Sequence, residues 1–158
     1  MKRFFTTIAT IVIFSSFLSH AQNYKTALGG RLGFFSGFTA KHFLNDQNAV
    51  EGIVSFRWTG CLMTGLYEYQ KQLNTVENLD WFVGVGGHLG FWNNGYFYND
   101  HYYSGGGNLG GDFIGGLEYT FKTAPLTLGI DLKPAFNIVG ENHWWGNGLG
   151  ISIRYVLK

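Results

Sequence analysis

Two histidines, two acidic residues and a pair of tryptophans fall in two stretches of the chain that otherwise carry little but Asn, Gly and Tyr. Asp100 and His101 lie in one, 93–108, and Glu141, His143, Trp144 and Trp145 in the other, 137–147. Imidazole beside carboxylate is the donor set of a divalent metal site, and equally of a general base acting on water. Either use needs the two stretches to converge, which their spacing does not require, and polar residues are what exposed loops contain in any case. Trp144 and Trp145 can stack on a sugar or serve as an interfacial anchor. His88, among glycines, reads as a paired core group, because catalysis would need an aligned nucleophile that the pattern does not supply. Cys61 is the single cysteine, so it has no disulfide partner within the chain and reads as a small apolar residue beside a hairpin turn. These residues identify no catalytic group, metal or cofactor.

The elements that would position these residues must be read from 158 residues with few charges. Lys2 and Arg3, an apolar run over 8–18 and the small-x-small triplet Ser19-His20-Ala21 have the form of a secretory signal, with cleavage expected after Ala21 and a single domain over 22–158. No Cys follows that site to receive a lipid, and no apolar run reaches the roughly 20 residues of a spanning helix. Removing Lys2 and Arg3 from the 11 basic residues leaves nine against 10 acidic ones, which argues against nucleic acid as a partner. Charged residues are 13% of the chain, about half the usual share, while 24 glycines and 18% aromatics are an excess. A water-exposed exterior would need more charge than this.

The organising pattern is strict alternation. Over 126–136, Leu126, Leu128, Ile130, Leu132, Pro134 and Phe136 fall on one face of a strand, with Thr127, Gly129, Asp131, Lys133 and Ala135 on the other. The same two-faced pattern recurs over 24–35, 38–44, 49–58, 61–69, 80–92, 109–121 and 149–158, with Ser36-Gly37, 45–48, Thr59-Gly60, 71–79 and 122–125 as connections. In 61–69 the phase is set by keeping Glu68 off the apolar face. Leu62 and Leu66 favour the opposite phase, and a bulge would reconcile the two. His42 is an imperfection on the apolar side of its strand, and Ile53 one on the polar side.

Eight such strands, each near the 9 to 11 residues that cross a bilayer when tilted, predict an all-β, eight-stranded antiparallel up-and-down barrel. Two arrangements share the alternation: a secreted barrel of lipocalin type with its apolar face inward, and an outer-membrane barrel with that face toward lipid. The polar face bears Arg31, Lys41, Arg57, Lys133 and Arg154 against Glu51, Glu68, Asp112, Glu118 and Asp131, a balanced set suited to a small interior. A cation at mid-bilayer on the lipid side costs about 2–4 kcal/mol, which drives these residues inward. Trp58, Tyr67, Tyr69, Trp81, Trp92, Tyr119 and Tyr155 fit interfacial girdles. Eight strands leave a lumen just wide enough for side chains, so the second arrangement predicts a filled polar interior.

The chain resembles the small eight-stranded outer-membrane barrels of OmpA/OmpX type. The carriers are Leu128-Gly129-Ile130-Asp131-Leu132-Lys133-Pro134-Ala135-Phe136, Thr64-Gly65-Leu66-Tyr67-Glu68 and the terminal Ile151-Ser152-Ile153-Arg154-Tyr155-Val156-Leu157. The resemblance implies an exported, monomeric, transmembrane barrel in outer-membrane lipid, with both termini periplasmic, Pro134 near the outer rim and the stretches 93–108 and 137–147 facing an extracellular partner. It also implies that the barrel-assembly machinery reads the last strand. Such strands usually end on an aromatic, whereas this chain ends on Lys158 after Tyr155 and Leu157. A non-enzymatic envelope role is the reading favoured by the residues. A passive small-solute channel and an outer-membrane hydrolase or lipid-modifying enzyme are the alternatives.

Overall fold

The computed structural model describes residues 24–57, 60–92, 96–98, 101–103, 106–140, 144–145 and 148–157, with the backbone alone for 57, 92, 96–98, 101–103 and 144–145. Its strands are β1 (Thr26–Gly33), β2 (Ser36–Phe43), β3 (Asn48–Arg57), β4 (Gly60–Gln72), β5 (Leu79–Trp92), β6 (Tyr96–Tyr98), β7 (His101–Tyr103), β8 (Gly106–Thr120), β9 (Leu126–Leu132), β10 (Ala135–Val139), β11 (Trp144–Trp145) and β12 (Leu149–Leu157). Each neighbour in the order β8-β5-β4-β3-β2-β1-β12-β9 is hydrogen-bonded, and β9 returns to β8, so the sheet closes on itself. All pairings are antiparallel. Since β9 and β10 are two halves of one stave, this is an eight-stranded barrel. Its turn end carries residues 44–47, 73–78 and 121–125, and both the first and last described residues lie there.

Closure leaves every stave with two faces. Outward stand Leu32, Phe38, Val54, Met63, Val85, Phe113, Ile130 and Ile153, all exposed, while Arg31, Lys41, Glu51, Glu68, His88, Asp112, Glu118, Asp131 and Arg154 are buried inside. This overturns the lipocalin-like alternative, whose apolar rows would fill the lumen. An inner apolar band of Ile53, Leu66, Phe82 and Ile114 crosses the polar interior, and a second cluster of Tyr24, Ala27, Phe43 and Ala49 lies toward the turn end. Tyr69 and Trp81 pair outside that end with ring centroids 5.8 Å apart, and Tyr119 meets Phe121 edge-on at 5.1 Å. His42, the imperfection on an outer face, is half-buried with Nδ1 2.8 Å from the Thr26 hydroxyl.

The strands end elsewhere than their composition predicts. β4 keeps one register with both neighbours from Gly60 to Tyr69, so no bulge reconciles Leu62 and Leu66 with Glu68; all three point inward. The first hairpin turns at Phe34-Phe35 rather than at Ser36-Gly37, because the Ser36 hydroxyl bonds both the N–H and the carbonyl of Gly33 at 3.3 Å and lets β2 begin at once. The stave expected over 126–136 continues to Val139 with a break at Lys133-Pro134. Proline has no N–H to give, but its carbonyl still accepts from Phe113 at 2.9 Å, and the partners on either side, Gly115 with Leu132 and Asp112 with Ala135, stay in one register. The expected loops carry strands as well: β6 pairs with β7, and β11 pairs with Ala135 and Phe136 of β10.

Candidate functional site

The buried polar side chains sort into two regions. Toward the turn end, Glu118 of β8 is a junction. Its Oε1 accepts from the Tyr24 hydroxyl at 2.5 Å and from Gln70 Nε2 at 3.2 Å, and its Oε2 accepts from Arg154 at 2.8 Å. Lys41 Nζ stands 3.9 Å from the same oxygen and 2.8 Å from Glu68 Oε2. The Glu68 contact is an ion pair without hydrogen-bond alignment, and Lys41 donates to Gln70 Oε1 at 2.6 Å. Arg154 also pairs with Glu51, and its Nε donates to Thr39 Oγ1 at 3.2 Å while the Thr39 hydroxyl donates to Glu51. The Lys41 ammonium lies 4.4 Å from the centre of the Phe82 ring, a cation–π contact in a desolvated place.

Toward the loop end the contacts are more local. Arg31 pairs with Asp131 through two nitrogens, and its Nη2 also donates to the Gly148 carbonyl at 3.2 Å. Lys133 donates to Asp112 Oδ1 at 2.5 Å. His88 Nδ1 lies 2.7 Å from Asp112 Oδ2 and its Nε2 3.0 Å from Asn137 Oδ1, so each ring nitrogen faces an oxygen. Asn108 Nδ2 donates to the same Asn137 oxygen at 3.3 Å.

Long side chains fit inside so narrow a cylinder because glycine faces them. A Cβ on Gly150 would run into the Arg31 guanidinium, one on Gly84 would come within 2.8 Å of Glu68 Cγ, and one on Gly110 would strike the His88 ring. Lys41, Glu68 and Glu118 retain no accessible surface at all. The described interior thus holds Arg31, Lys41, Lys133 and Arg154 against Glu51, Glu68, Asp112, Glu118 and Asp131, which leaves one carboxylate over among these side chains. Lone buried charges are costly, and pairing with further hydrogen bonds is what makes their burial tolerable.

Of the residues expected to form the interior set, nine lie in this network, and the Arg57 side chain is outside the described residues. Asp100, Glu141 and His143 of the expected loop site are likewise outside them. The backbone of His101 sits in β7 opposite Tyr98. The structure adds Tyr24, Thr39, Gln70, Asn108 and Asn137. Thr39 and Gln70 occupy inward positions that alternation already marks, but as neutral residues they escape a count of charges. Tyr24 precedes the first pairing, and Asn137 follows a proline that reads as a strand end.

No protein-family model and no curated protein matches the chain. Among solved structures, the N-terminal β-barrel domain of Pseudomonas aeruginosa OprF matches with a TM-score of 0.61 at 17% identity, covering 85% of this chain and 100% of that one. At that identity the likeness concerns the fold. With a closed eight-stave sheet, an apolar exterior and an ion-paired interior already in place, the chain has the fold of the small barrels of OmpA/OmpX type.

Proposed function

We propose that this protein is a non-enzymatic integral barrel of the outer membrane, exported by the signal over 1–21 and contributing to the envelope as a closed stave cylinder. The stretches 93–108 and 137–147 face outward from the cell in this reading and offer the surface for an extracellular partner. One observation carries it: the molecule is inverted relative to a water-soluble barrel, with large apolar side chains such as Leu32, Phe38 and Ile153 more than half exposed, while Lys41, Glu68, Glu118 and Arg154 are sealed within. Hydrocarbon is the medium that this distribution suits, because outward Leu, Val, Phe and Ile gain there and inward ions are kept out of it.

The lumen supports closure rather than conduction. Arg154, Glu51, Glu118 and Lys41 bridge four staves across it, and the apolar band of Ile53, Leu66, Phe82 and Ile114 fills the gap between them. Folding the processed chain into lipid vesicles and measuring planar-bilayer currents tests both halves. A heat-sensitive folded band in gel electrophoresis with no steady current is the expected result. A monomer that stays in detergent-free buffer with an oily cavity ends the membrane reading. Steady single-channel currents that change when Arg31 or Glu118 is neutralised end the closed reading in favour of a passive channel.

A further inference from the structure

Tyr24 reaches the Glu118 junction from outside the strands. It precedes β1, yet it is only 7% exposed. Its ring stands edge-on to Phe43 with centroids 5.1 Å apart, within the cluster of Ala27, Phe43 and Ala49 against which Val156 packs. On the solvent side of this cluster opens a cavity of about 390 Å³ at the turn end, walled by Gln70, Asn78, Asp80 and Thr120. On the inner side lies Glu118, which accepts the phenol hydrogen bond.

We propose that Tyr24 is a stopper for the lumen, a phenol seated in the turn-end mouth that keeps water and salt in the cavity from reaching the Glu118 junction. The ring supplies an apolar body and the hydroxyl a polar tip, which suits a group that must face a hydrophobic collar and a carboxylate at once. Gln70 is the other residue spanning the boundary: its Nε2 lies 3.0 Å from Asp80 Oδ2 at the cavity and 3.2 Å from Glu118 Oε1 inside. Gln70 is fixed by β4, and Phe43 by β2, whose end is tied by the Phe43 N–H to the Lys25 carbonyl at 2.8 Å. Tyr24 belongs to no stave. It is held by its ring contact and its single hydroxyl bond, so it is the part of the closure that can leave without unpairing a strand.

The inference extends the closed-lumen reading above, and conductance of the unaltered barrel tests that reading separately. Two measurements test the stopper in the folded full chain. In the unaltered protein the Tyr24 hydroxyl proton exchanges slowly enough with water to be seen by NMR, and Tyr24→Phe removes that resonance; exchange as fast as that of a free tyrosine overturns the proposal. The denaturant midpoint of the unaltered barrel and of Tyr24→Phe, which keeps the ring, changes little between low and high salt. In Tyr24→Ala, ions reach Glu118 and Arg154 and the midpoint falls as salt rises, because screened pairs weaken. A Tyr24→Ala midpoint no more salt-dependent than that of the parent overturns the proposal. Should Tyr24→Ala fail to fold, the hydroxyl exchange of the parent decides.

Discussion

Glu118 and Asp131 are both buried carboxylates facing an arginine, but they are built into the barrel differently. Glu118 is shared among Tyr24, Gln70, Lys41 and Arg154, and Arg154 is shared in turn with Glu51, so the turn-end region ties β2, β3, β4, β8 and β12 together. Asp131 faces Arg31, whose remaining bond goes to a backbone carbonyl in the link before β12. The first is a network in which Glu118, Arg154 and Lys41 each face two opposite charges. The second is a pair in which each charge has essentially one. Removing a member should therefore propagate at the Glu118 junction and stay local at the Arg31–Asp131 pair, because groups sharing one network couple while separate ones add.

Arg154→Leu makes the largest expected difference. It strips a guanidinium from Glu51 and Glu118 together, and leaving one member of a buried pair uncompensated costs about 3–5 kcal/mol. We expect at least that loss in the denaturant unfolding of the reconstituted barrel, large enough that most of the chain fails to give a folded band. A loss equal to that of a loop-end variant would mean that the two regions do not differ.

Asp131→Asn comes next, near the lower end of the same range, since Arg31 keeps the Gly148 carbonyl. Replacing the pair together, Arg31→Met with Asp131→Leu, is expected to recover most of the loss, as an ion pair exchanged whole for apolar side chains often costs little. No such whole replacement exists for Glu118, whose partners also serve Glu51 and Glu68. A double variant no better than the single one breaks the contrast.

Gly150→Ala probes the room that the pair needs. The added Cβ would meet the Arg31 guanidinium, which must swing off Asp131 to make way. Crowding of this kind costs about 1–3 kcal/mol. In an Arg31→Ala background the same substitution meets nothing of Arg31, so the cost should largely vanish; a double-mutant cycle without coupling would place the strain elsewhere.

How far such contrasts are visible in the sequence depends on the range of the interaction. Alternation fixes which way Arg31, Glu68 or Ile53 points, because the strand period is set by local geometry, and a single Glu68 was enough to fix the phase of β4 against two leucines. Which inward residues meet is a matter of register and stave order. Arg154 reaches Glu51 across 103 positions and Arg31 reaches Asp131 across 100, distances that no local pattern records. Strand ends escape for a different reason: Ser36-Gly37 has turn composition, but one hydroxyl bonded to Gly33 moves the tip to Phe34-Phe35. Pro134 hid Asn137 in the same way, since a residue that cannot donate looks like an end even where the carbonyl side of the ladder continues.

The smallest effect is expected at the turn end but outside the lumen, where Lys122 pairs with Glu77 in full exposure to solvent. The hydrogen bond and charge of Lys122 hold the Glu77 carboxyl below its ordinary value and Glu77 raises the Lys122 ammonium. A carboxyl depressed in the folded state stabilises it above the unfolded value, and that share is lost as the pH falls through the folded value. Lys122→Ala should thus shift the unfolding midpoint slightly at neutral pH and low salt, and not at all in acid, where Glu77 is protonated in both proteins. Added salt should abolish the shift, as it does for exposed pairs, whereas the interior pairs should ignore it. A Lys122→Ala shift that persists in acid or in high salt would mean that this turn supports the barrel through packing instead.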